Sequence, residues 1–402
     1  MTDIWTADGN ADWPVGTDSF FQPCRAAFWV LTGLIVNGLF STLQMFSIGV
    51  SVVPVTVLLG LLVWAGYTAA FMLAFRFLDL LDQHPWEGFV LAFGWGGLGA
   101  VFFAAPANLA IQSLCSKLVS PEFTAVWGAA LAGPTTEEFL KLAGVVLMIL
   151  VARNQFQTHL SVLIVGAMVG LGFQVVENLA YTVRAALHFP LESQVEPVLL
   201  NLLTRGLLAG LWTHAAFSTI ASYGVAWFLL HRRRSIASRL AMVLACFTLA
   251  WALHFVWNSP LLEDLFGGGV AGLVLLSVVK GMPVLLGAAL FWHVAARENG
   301  AYLHALGACF VPERALIADD EWLRLGAPLL RWRTRRDMRR RFGVQAGRLK
   351  TRLQREQLRL IQKAATYGRG PQTRTHEIAI LQLRAALELR MAGAGRRDAA
   401  LP

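Results

Sequence analysis

The sequence predicts an all-α fold, a polytopic transmembrane helical bundle. Of its 402 residues, 56% are hydrophobic and only 15% are charged. This composition is too apolar for the surface of a soluble domain and is typical of a chain that is largely solvated by lipid. The four cysteines lie far apart without CxxC spacing, so the pattern indicates neither a disulfide framework nor a thiolate metal site.

Apolar runs of about 20 residues, the length that crosses a hydrocarbon core about 30 Å thick, indicate about eight spans. The sixth is too long for one upright crossing, which predicts a tilted or projecting helix. The predicted spans are Ala26 to Gly49, Val52 to Phe75, Gly88 to Leu114, Phe123 to Val151, Leu160 to Val183, Val198 to Leu230, Leu240 to Leu261 and Gly268 to Ala295.

The positions of the basic residues predict the orientation. With both termini in the cytoplasm, the inner connections hold Arg76, Arg153 and the arginine run 232–234, whereas the outer ones hold little more than Lys117 and Arg184. We therefore expect a multi-pass protein of the cell (inner) membrane with cytoplasmic N- and C-termini. Three regions follow, namely a short N-terminal cytoplasmic segment (1–25), a transmembrane helical domain (26–295) and a basic cytoplasmic tail (296–402).

The tail differs in composition from the rest of the chain. Residues 296–402 hold 22 Lys and Arg against 10 Asp and Glu, a net charge of +12, and the whole chain carries +9. Two segments, 331–362 and 376–392, have helical apolar periodicity among arginines, which predicts two tail helices. We expect lipid headgroups as partners of these basic helices and no nucleic acid, with pairing to a partner helix as the alternative.

Ionisable residues inside the spans carry the functional signal, because each one costs several kcal/mol at bilayer depth unless it is paired or hydrated. The fourth span reads GPTTEEFLKLAG and places Glu137, Glu138 and Lys141 near its middle. Both acids lie within one helical turn of the lysine, so an ion pair accounts for one of them and leaves the second available for function.

The fifth and sixth spans add polar residues beside ridges of small residues. Gly166 and Gly170 permit close helix approach, and Glu177 continues near their face and points into the bundle. In the sixth span a step of four residues from Gly206 to Ser222 drifts about 40° per step, which predicts that His214 projects from such a ridge onto a neighbouring helix. Arg205 is expected to pair with Glu177 or to bind a substrate carbonyl.

The seventh span ends ALHFVWNSP. His254 and Asn258 are one turn apart and share a helix face, with Trp257 alongside. An interfacial aromatic belt would explain the tryptophan better than the histidine. We therefore expect the fourth to seventh spans to converge on one polar cavity.

The four motifs together resemble the PrsW family of intramembrane proteases over residues 123–260. They are, in this order, EExxK (Glu137, Glu138, Lys141), FxxxEN (Phe173, Glu177, Asn178), an Arg and a His on one span (Arg205, His214) and HxxWN (His254, Trp257, Asn258). The wider superfamily includes CAAX prenyl endopeptidases, whose EExxxR motif is replaced here by a lysine at a nearer spacing, and a non-catalytic scaffold subunit.

This resemblance implies an intramembrane endopeptidase that hydrolyses membrane-anchored protein substrates. It implies that Glu137 and His214 activate water, that His254 and Asn258 stabilise the oxyanion, and that Glu138 and Lys141 organise the pair, with Glu177 and Arg205 in support. In the variant mechanism Glu137, His214 and His254 hold a divalent metal such as Zn²⁺ with one position open.

Other function classes remain as alternatives. The sequence lacks HExxH, GxSG and an intramembrane Asp pair, so the other intramembrane protease types do not fit. A proton-coupled transporter or channel could use the Glu and His cluster as a relay, although the sequence has no clear inverted repeat. A catalytically silent scaffold would not need both acids and both histidines.

Overall fold

The structure is a computed structural model that describes residues 19–78, 85–188, 193–267 and 269–398. Most of the predicted N-terminal segment (1–18) and the first residue of the eighth predicted span, Gly268, lie outside the described residues. The described residues are mostly helical and form no strand, as the sequence predicts. The chain forms two compact units, one comprising residues 18–76 and 84–293 and the other formed mainly by residues 294–402.

The helices of the first unit match the predicted spans closely at most ends. They are α1 (Ala26–Val52), α2 (Pro54–Leu78), α3 (Trp86–Gly94), α4 (Val101–Leu118), α5 (Pro121–Val151), α6 (His159–His188), α7 (Glu196–Asn201), α8 (His214–Leu230), α9 (Ile236–Asn258) and α10 (Gly269–Phe310), whose last part belongs to the second unit. π-Helical turns at Trp95–Ala100 and Leu202–Leu208 and 3₁₀ turns at Arg153–Gln155 and Glu263–Leu265 complete the set.

Six helical segments of the described chain are long and apolar enough to cross a membrane. They are α1, α2, the continuous run from α3 to α4, α6, α9 and α10. Leucine, phenylalanine and valine side chains on α1 and α2 are exposed, as expected for helices whose outer face contacts lipid. The chain is therefore a multi-pass helical membrane protein. The two remaining predicted spans are α5, which carries charges at its centre, and the interrupted sixth.

The sixth predicted span is not one helix, which corrects the sequence-based interpretation. A π-helical turn ends at Leu208, residues 209–213 are non-helical, and α8 begins at His214. The predicted ridge from Gly206 to Ser222 is therefore wrong, because its first two glycines precede the start of α8. Two freed carbonyl oxygens find donors inside the bundle, since the Tyr67 hydroxyl donates to Gly206 O at 3.3 Å and Gln174 Nε2 donates to Gly210 O at 3.2 Å.

The centre of the bundle is α6, whose residues are nearly all buried from His159 to Val175. It packs on α8 and on the run that contains α3 and the following π-helical turn. A Cβ at Gly170 would collide with the carbonyl of His214, and one at Gly166 would collide with Ser222. The predicted small-residue ridge on the fifth span therefore lies against the N-terminal half of α8, which begins at His214 directly after the break.

The second unit contains α11 (Asp319–Leu325), α12 (Pro328–Tyr367) and α13 (Pro371–Asp398). Both predicted tail helices are present, but α12 includes a sharp kink at Gly343, where φ is +86°. The buried carboxylate of Glu321 joins the helices, because it accepts hydrogen bonds from Lys350 at 2.7 Å, Gln357 at 2.8 Å and Arg384. Burial raises the pKa of Glu321, but the hydrogen bond from Lys350 and the charges of Lys350 and Arg384 hold it below its ordinary value overall.

Candidate active site

An ion pair lies at the middle of α5. The Lys141 Nζ atom is 2.7 Å from Glu138 Oε1 and 3.8 Å from Glu137 Oε2. Both Lys141 and Glu138 are fully buried, so each charge depends on the other for its stabilisation at this depth. The pairing takes up the second acid of the EE motif and leaves the first with a weaker electrostatic contact.

One oxygen of the Glu137 carboxylate accepts a hydrogen bond, and the other, called the open oxygen below, has no hydrogen-bond partner among the described residues. Asn108 on α4 donates to Oε1 at 3.1 Å. The buried Oε2 atom accepts no hydrogen bond from the described residues, yet it lies 3.8 Å from His214 Nδ1 and 3.9 Å from His254 Nε2. An unsatisfied buried carboxylate oxygen is costly, so its position between two imidazoles indicates a place for a water molecule or a cation.

The His214 ring is held between a cation and an acid. Nδ1 lies 2.8 Å from Lys141 Nζ, and Nε2 lies 3.1 Å from Glu177 Oε2. An ammonium group has only donors, so Nδ1 accepts from Lys141 and the Nε2 hydrogen is donated to Glu177. As the first residue of α8, His214 owes its position to the chain break that precedes it.

The His254 ring has a similar arrangement. Nδ1 lies 2.8 Å from Glu138 Oε1, so its hydrogen is donated to that carboxylate, and Nε2 accepts from Asn258 Nδ2 at 3.2 Å. The ring stacks on Phe217 with centroids 4.7 Å apart and an interplanar angle of 11°. The acceptor nitrogen of His254 therefore faces the open oxygen of Glu137, and the one-turn spacing of His254 and Asn258 does place them together.

Arg205 lies in the π-helical turn Leu202–Leu208 and contacts the site from there. Arg205 donates to Glu177 Oε2 at 2.7 Å and to Asn178 Oδ1 at 2.8 Å, and its guanidinium lies 3.9 Å from the centroid of the Tyr181 ring. The predicted pairing of Arg205 with Glu177 is thus present. Because Glu177 also accepts from His214, the arginine and the histidine share one carboxylate.

One cavity of about 190 Å³ connects these groups. Of the candidate residues from the sequence, only Glu138 and Lys141 do not line the cavity. Further polar side chains from α4 and α6 contribute to the lining. The candidate residues that line the cavity are Glu137, Glu177, Arg205, His214, His254 and Asn258. The expected convergence of four spans on one polar cavity is therefore what the structure contains.

The comparison with known families agrees with this constellation. The model of the family described as PrsW family intramembrane metalloprotease matches residues 84–288. The chain belongs to the PrsW family. No curated protein and no solved structure matches it. The matched range of this PrsW protein contains every cavity-lining residue, and it extends the resemblance seen in the sequence to α3 and α4.

The donor set in this PrsW protein fits a divalent metal ion. Glu137, His214 and His254 each offer one ligand atom, and these atoms lie within 4.8 Å of one another. In each histidine the ring nitrogen that faces away from Glu137 donates its hydrogen to a carboxylate, which is the usual support of a metal-bound imidazole. Two contacts compete, because the ammonium of Lys141 occupies Nδ1 of His214 and the amide of Asn258 occupies Nε2 of His254. Both donors would have to give up these hydrogen bonds to a bound ion.

Sequence reasoning gave no site role to two polar residues, Asn108 and Gln174. Asn108 donates to Glu137 and accepts from the Thr136 hydroxyl, and Gln174 accepts from Thr213 at 3.3 Å while it donates to the unwound segment. A signal for Asn108 was present in the sequence, since it is a carboxamide inside an apolar span. No spacing rule could link it to Glu137, because the two residues lie on different helices.

Proposed function

We propose that this PrsW protein is an intramembrane endopeptidase whose active site is the cavity around Glu137, His214 and His254. The open Glu137 Oε2 atom between two imidazole nitrogens carries this proposal. In a purely structural ion-pair network these groups would close to hydrogen-bond distance, because buried polar atoms are costly when unpaired. A peptide hydrolase, in contrast, needs room for water beside an acceptor for its proton.

The chain's own groups can supply each step of hydrolysis. Glu137 Oε2 accepts a proton as the water oxygen bonds to the peptide carbonyl carbon. Asn258 Nδ2 is a donor for the carbonyl oxygen, which becomes negative. The proton held by Glu137 then passes to the amide nitrogen as the C–N bond breaks, so one water molecule is consumed and a carboxyl and an amine result. Glu138 and Glu177 fix the orientation of the two histidines throughout.

Zn²⁺ is the proposed cofactor of the metal-dependent form. Glu137, His214 and His254 would hold the ion, and a bound ion of this kind polarises a carbonyl and lowers the pKa of its water. In the metal-independent form Glu137 and His214 activate water directly. Both forms need the Lys141 ammonium to leave His214 Nδ1, because a nitrogen that accepts from Lys141 can neither bind an ion nor take a proton from water.

The proposed orientation puts the site in the outer half of the membrane. With cytoplasmic termini, Glu137, Glu177, His214 and His254 lie about 21 to 27 Å along their helices from the cytoplasmic ends, at 1.5 Å per residue. The hydrocarbon core is about 30 Å thick. Four different helices thus give a similar depth, and substrates would be membrane-anchored proteins that are cut near the extracytoplasmic surface.

Reconstitution tests the activity. Purified protein in liposomes is mixed with single-span peptide substrates, and products are identified by mass spectrometry. We expect cleavage by the wild type, none by Glu137→Gln, and normal cleavage by Glu122→Gln, which changes an exposed acid on the same helix. Absence of cleavage by wild type across a substrate panel would contradict the proposal and favour a transporter or scaffold, and normal cleavage by Glu137→Gln would contradict the role of this residue.

Chelation separates the two forms of the mechanism. Loss of cleavage with a zinc chelator, followed by recovery with added Zn²⁺, supports the metal-dependent form. Unchanged cleavage in protein shown by elemental analysis to be metal-free supports direct activation by Glu137 and His214.

A further inference from the structure

The second unit contains a pocket lined by arginines, which lies entirely on α12. The pocket has a volume of about 490 Å³, within the range of ordinary small-molecule sites. Among the described residues, its lining holds four guanidinium groups and no carboxylate. These groups belong to Arg335, Arg336, Arg339 and Arg348, and Trp332 and Thr351 lie beside them.

The kink in α12 creates this pocket. Gly343 has φ +86°, a value that L side chains rarely adopt, so the chain reverses there and lays the two parts of α12 against each other. A Cβ at Gly347 would collide with Arg339, which shows how closely the two parts approach. Arginines from either side of the kink, Arg335 and Arg339 on one part and Arg348 on the other, therefore share one pocket.

Two contacts fix the shape of the pocket before any ligand arrives. Arg335 Nε donates to Gln354 Oε1 at 2.6 Å across the two parts of α12. The Arg336 guanidinium lies 5.1 Å from the centroid of the Trp332 ring, a cation–π geometry. Held guanidinium groups lose less freedom on binding than free ones do, and their planar donors match phosphate oxygens in pairs.

Six acids of the described second unit pair with cations outside the pocket. These ion pairs are Asp319 with Arg314, Asp320 with Arg324, Glu321 with Lys350 and Arg384, Glu313 and Glu377 with Arg369, and Glu356 with Arg359 and His376. Arg336, Arg339 and Arg348 are exposed and belong to none of these pairs. Several like charges held together favour an anionic ligand.

We propose that this pocket binds a phosphate group, carried either by an anionic lipid headgroup or by a soluble phosphate. The guanidinium groups of Arg339 and Arg348 bind the phosphate oxygens from opposite parts of α12, and Arg335 and Thr351 complete the donor set. The site is separate from the proteolytic cavity and does not depend on the activity proposed for that cavity.

The test uses the full-length protein in a neutral detergent. Lipid retention is measured by native mass spectrometry with phosphatidic acid and with phosphatidylcholine, and binding of inorganic phosphate and inositol hexakisphosphate is measured by calorimetry. Arg339→Glu with Arg348→Glu is compared with Arg352→Glu with Arg355→Glu, which alters the net charge equally at exposed positions of α12 outside the pocket.

We expect the wild type to bind one phosphate ligand, the pocket variant to lose at least about tenfold in affinity, and the matched control to change by less than about threefold. Selective retention of phosphatidic acid identifies the headgroup, and binding of the soluble phosphates without lipid retention identifies a free ligand. Equal losses in both variants, or no binding of either ligand by wild type, would overturn the proposal. An Arg339→Lys and Arg348→Lys variant guards against misfolding, since it keeps the charge and should still bind more weakly than wild type.

Discussion

Glutamine substitutions of the adjacent acids Glu137 and Glu138 should rank in opposite order for stability and for activity. Glu138→Gln should cause the larger loss of stability, and Glu137→Gln the larger loss of activity. Glu138 is fully buried and accepts from Lys141 at 2.7 Å and from His254 at 2.8 Å. Glu137 has its nearest cation at 3.8 Å and one neutral hydrogen bond, from Asn108. The two residues are neighbours in sequence but differ in what they hold.

The stability effect follows from the charge that each substitution strands. Glu138→Gln leaves the buried ammonium of Lys141 without its close carboxylate, and removing one partner of a buried pair costs about 3–5 kcal/mol. Glu137→Gln keeps an oxygen for Asn108 and strands no close partner, so the cost should stay under about 1 kcal/mol. Unfolding by sodium dodecyl sulfate in mixed micelles, followed by circular dichroism, measures both values.

The activity effect should have the reverse order. Glu137→Gln removes the proposed proton acceptor, and loss of a general base lowers kcat/KM by about 10²- to 10⁴-fold. Glu138→Gln leaves the proton acceptor in place and disturbs the positions of His254 and Lys141, and a loss of about 10- to 100-fold is typical for such supporting groups. Adding His214→Ala to Glu137→Gln should cost little more than either change alone, because cooperating groups are not additive.

These activities are measured in the same proteoliposome cleavage assay, with each variant reconstituted at equal folded concentration. The reasoning is refuted if Glu137→Gln destabilises the protein as much as Glu138→Gln does. It is also refuted if Glu138→Gln causes the larger loss of kcat/KM, since that would exchange the proposed roles of the two acids.

Three further predictions concern orientation, metal competition and pH. In a cysteine-free background, a cysteine at Ser193 should be labelled by an impermeant reagent from outside and one at Ser235 only after permeabilisation; outside labelling of Ser235 would reverse the proposed topology. Lys141→Met removes the ammonium that competes for His214 Nδ1, so the zinc affinity of the purified, folded variant should exceed that of wild type by at least about tenfold. Weaker zinc binding by the variant would contradict this competition. Because the pKa of Glu321 is held below its ordinary value, its contribution to the stability of the second unit is present above the unfolded pKa and is lost as pH falls through the folded pKa; Glu321→Gln should flatten this acid dependence in limited proteolysis, and an unchanged profile would argue against it.

The sequence by itself determined the class of the protein, the approximate ends of most helices and the main ionisable residues of the cavity. Hydrophobic length is a local property, so apolar runs predicted helices such as α1, α6 and α9 directly. The cost of an ionisable group in lipid is also local, which is why Glu137, Glu177, His214 and His254 stood out in the primary structure. The single-turn spacings likewise predicted that Lys141 would meet a neighbouring acid and that His254 would meet Asn258.

Only the tertiary structure decided which acid of α5 pairs with Lys141 and which oxygen stays without a hydrogen bond, because side chains of other helices, His254 beside Glu138 and Asn108 beside Glu137, hold the two carboxylates. It also corrected the sixth span, where Tyr67 and Gln174 on other helices donate to the carbonyl oxygens of Gly206 and Gly210 before His214. Asn108 beside Glu137 and the arginine pocket at the Gly343 kink have the same origin. In each case side chains from different helices, or from opposite sides of a kink, take part in the contacts, and periodicity along one helix carries no information about them.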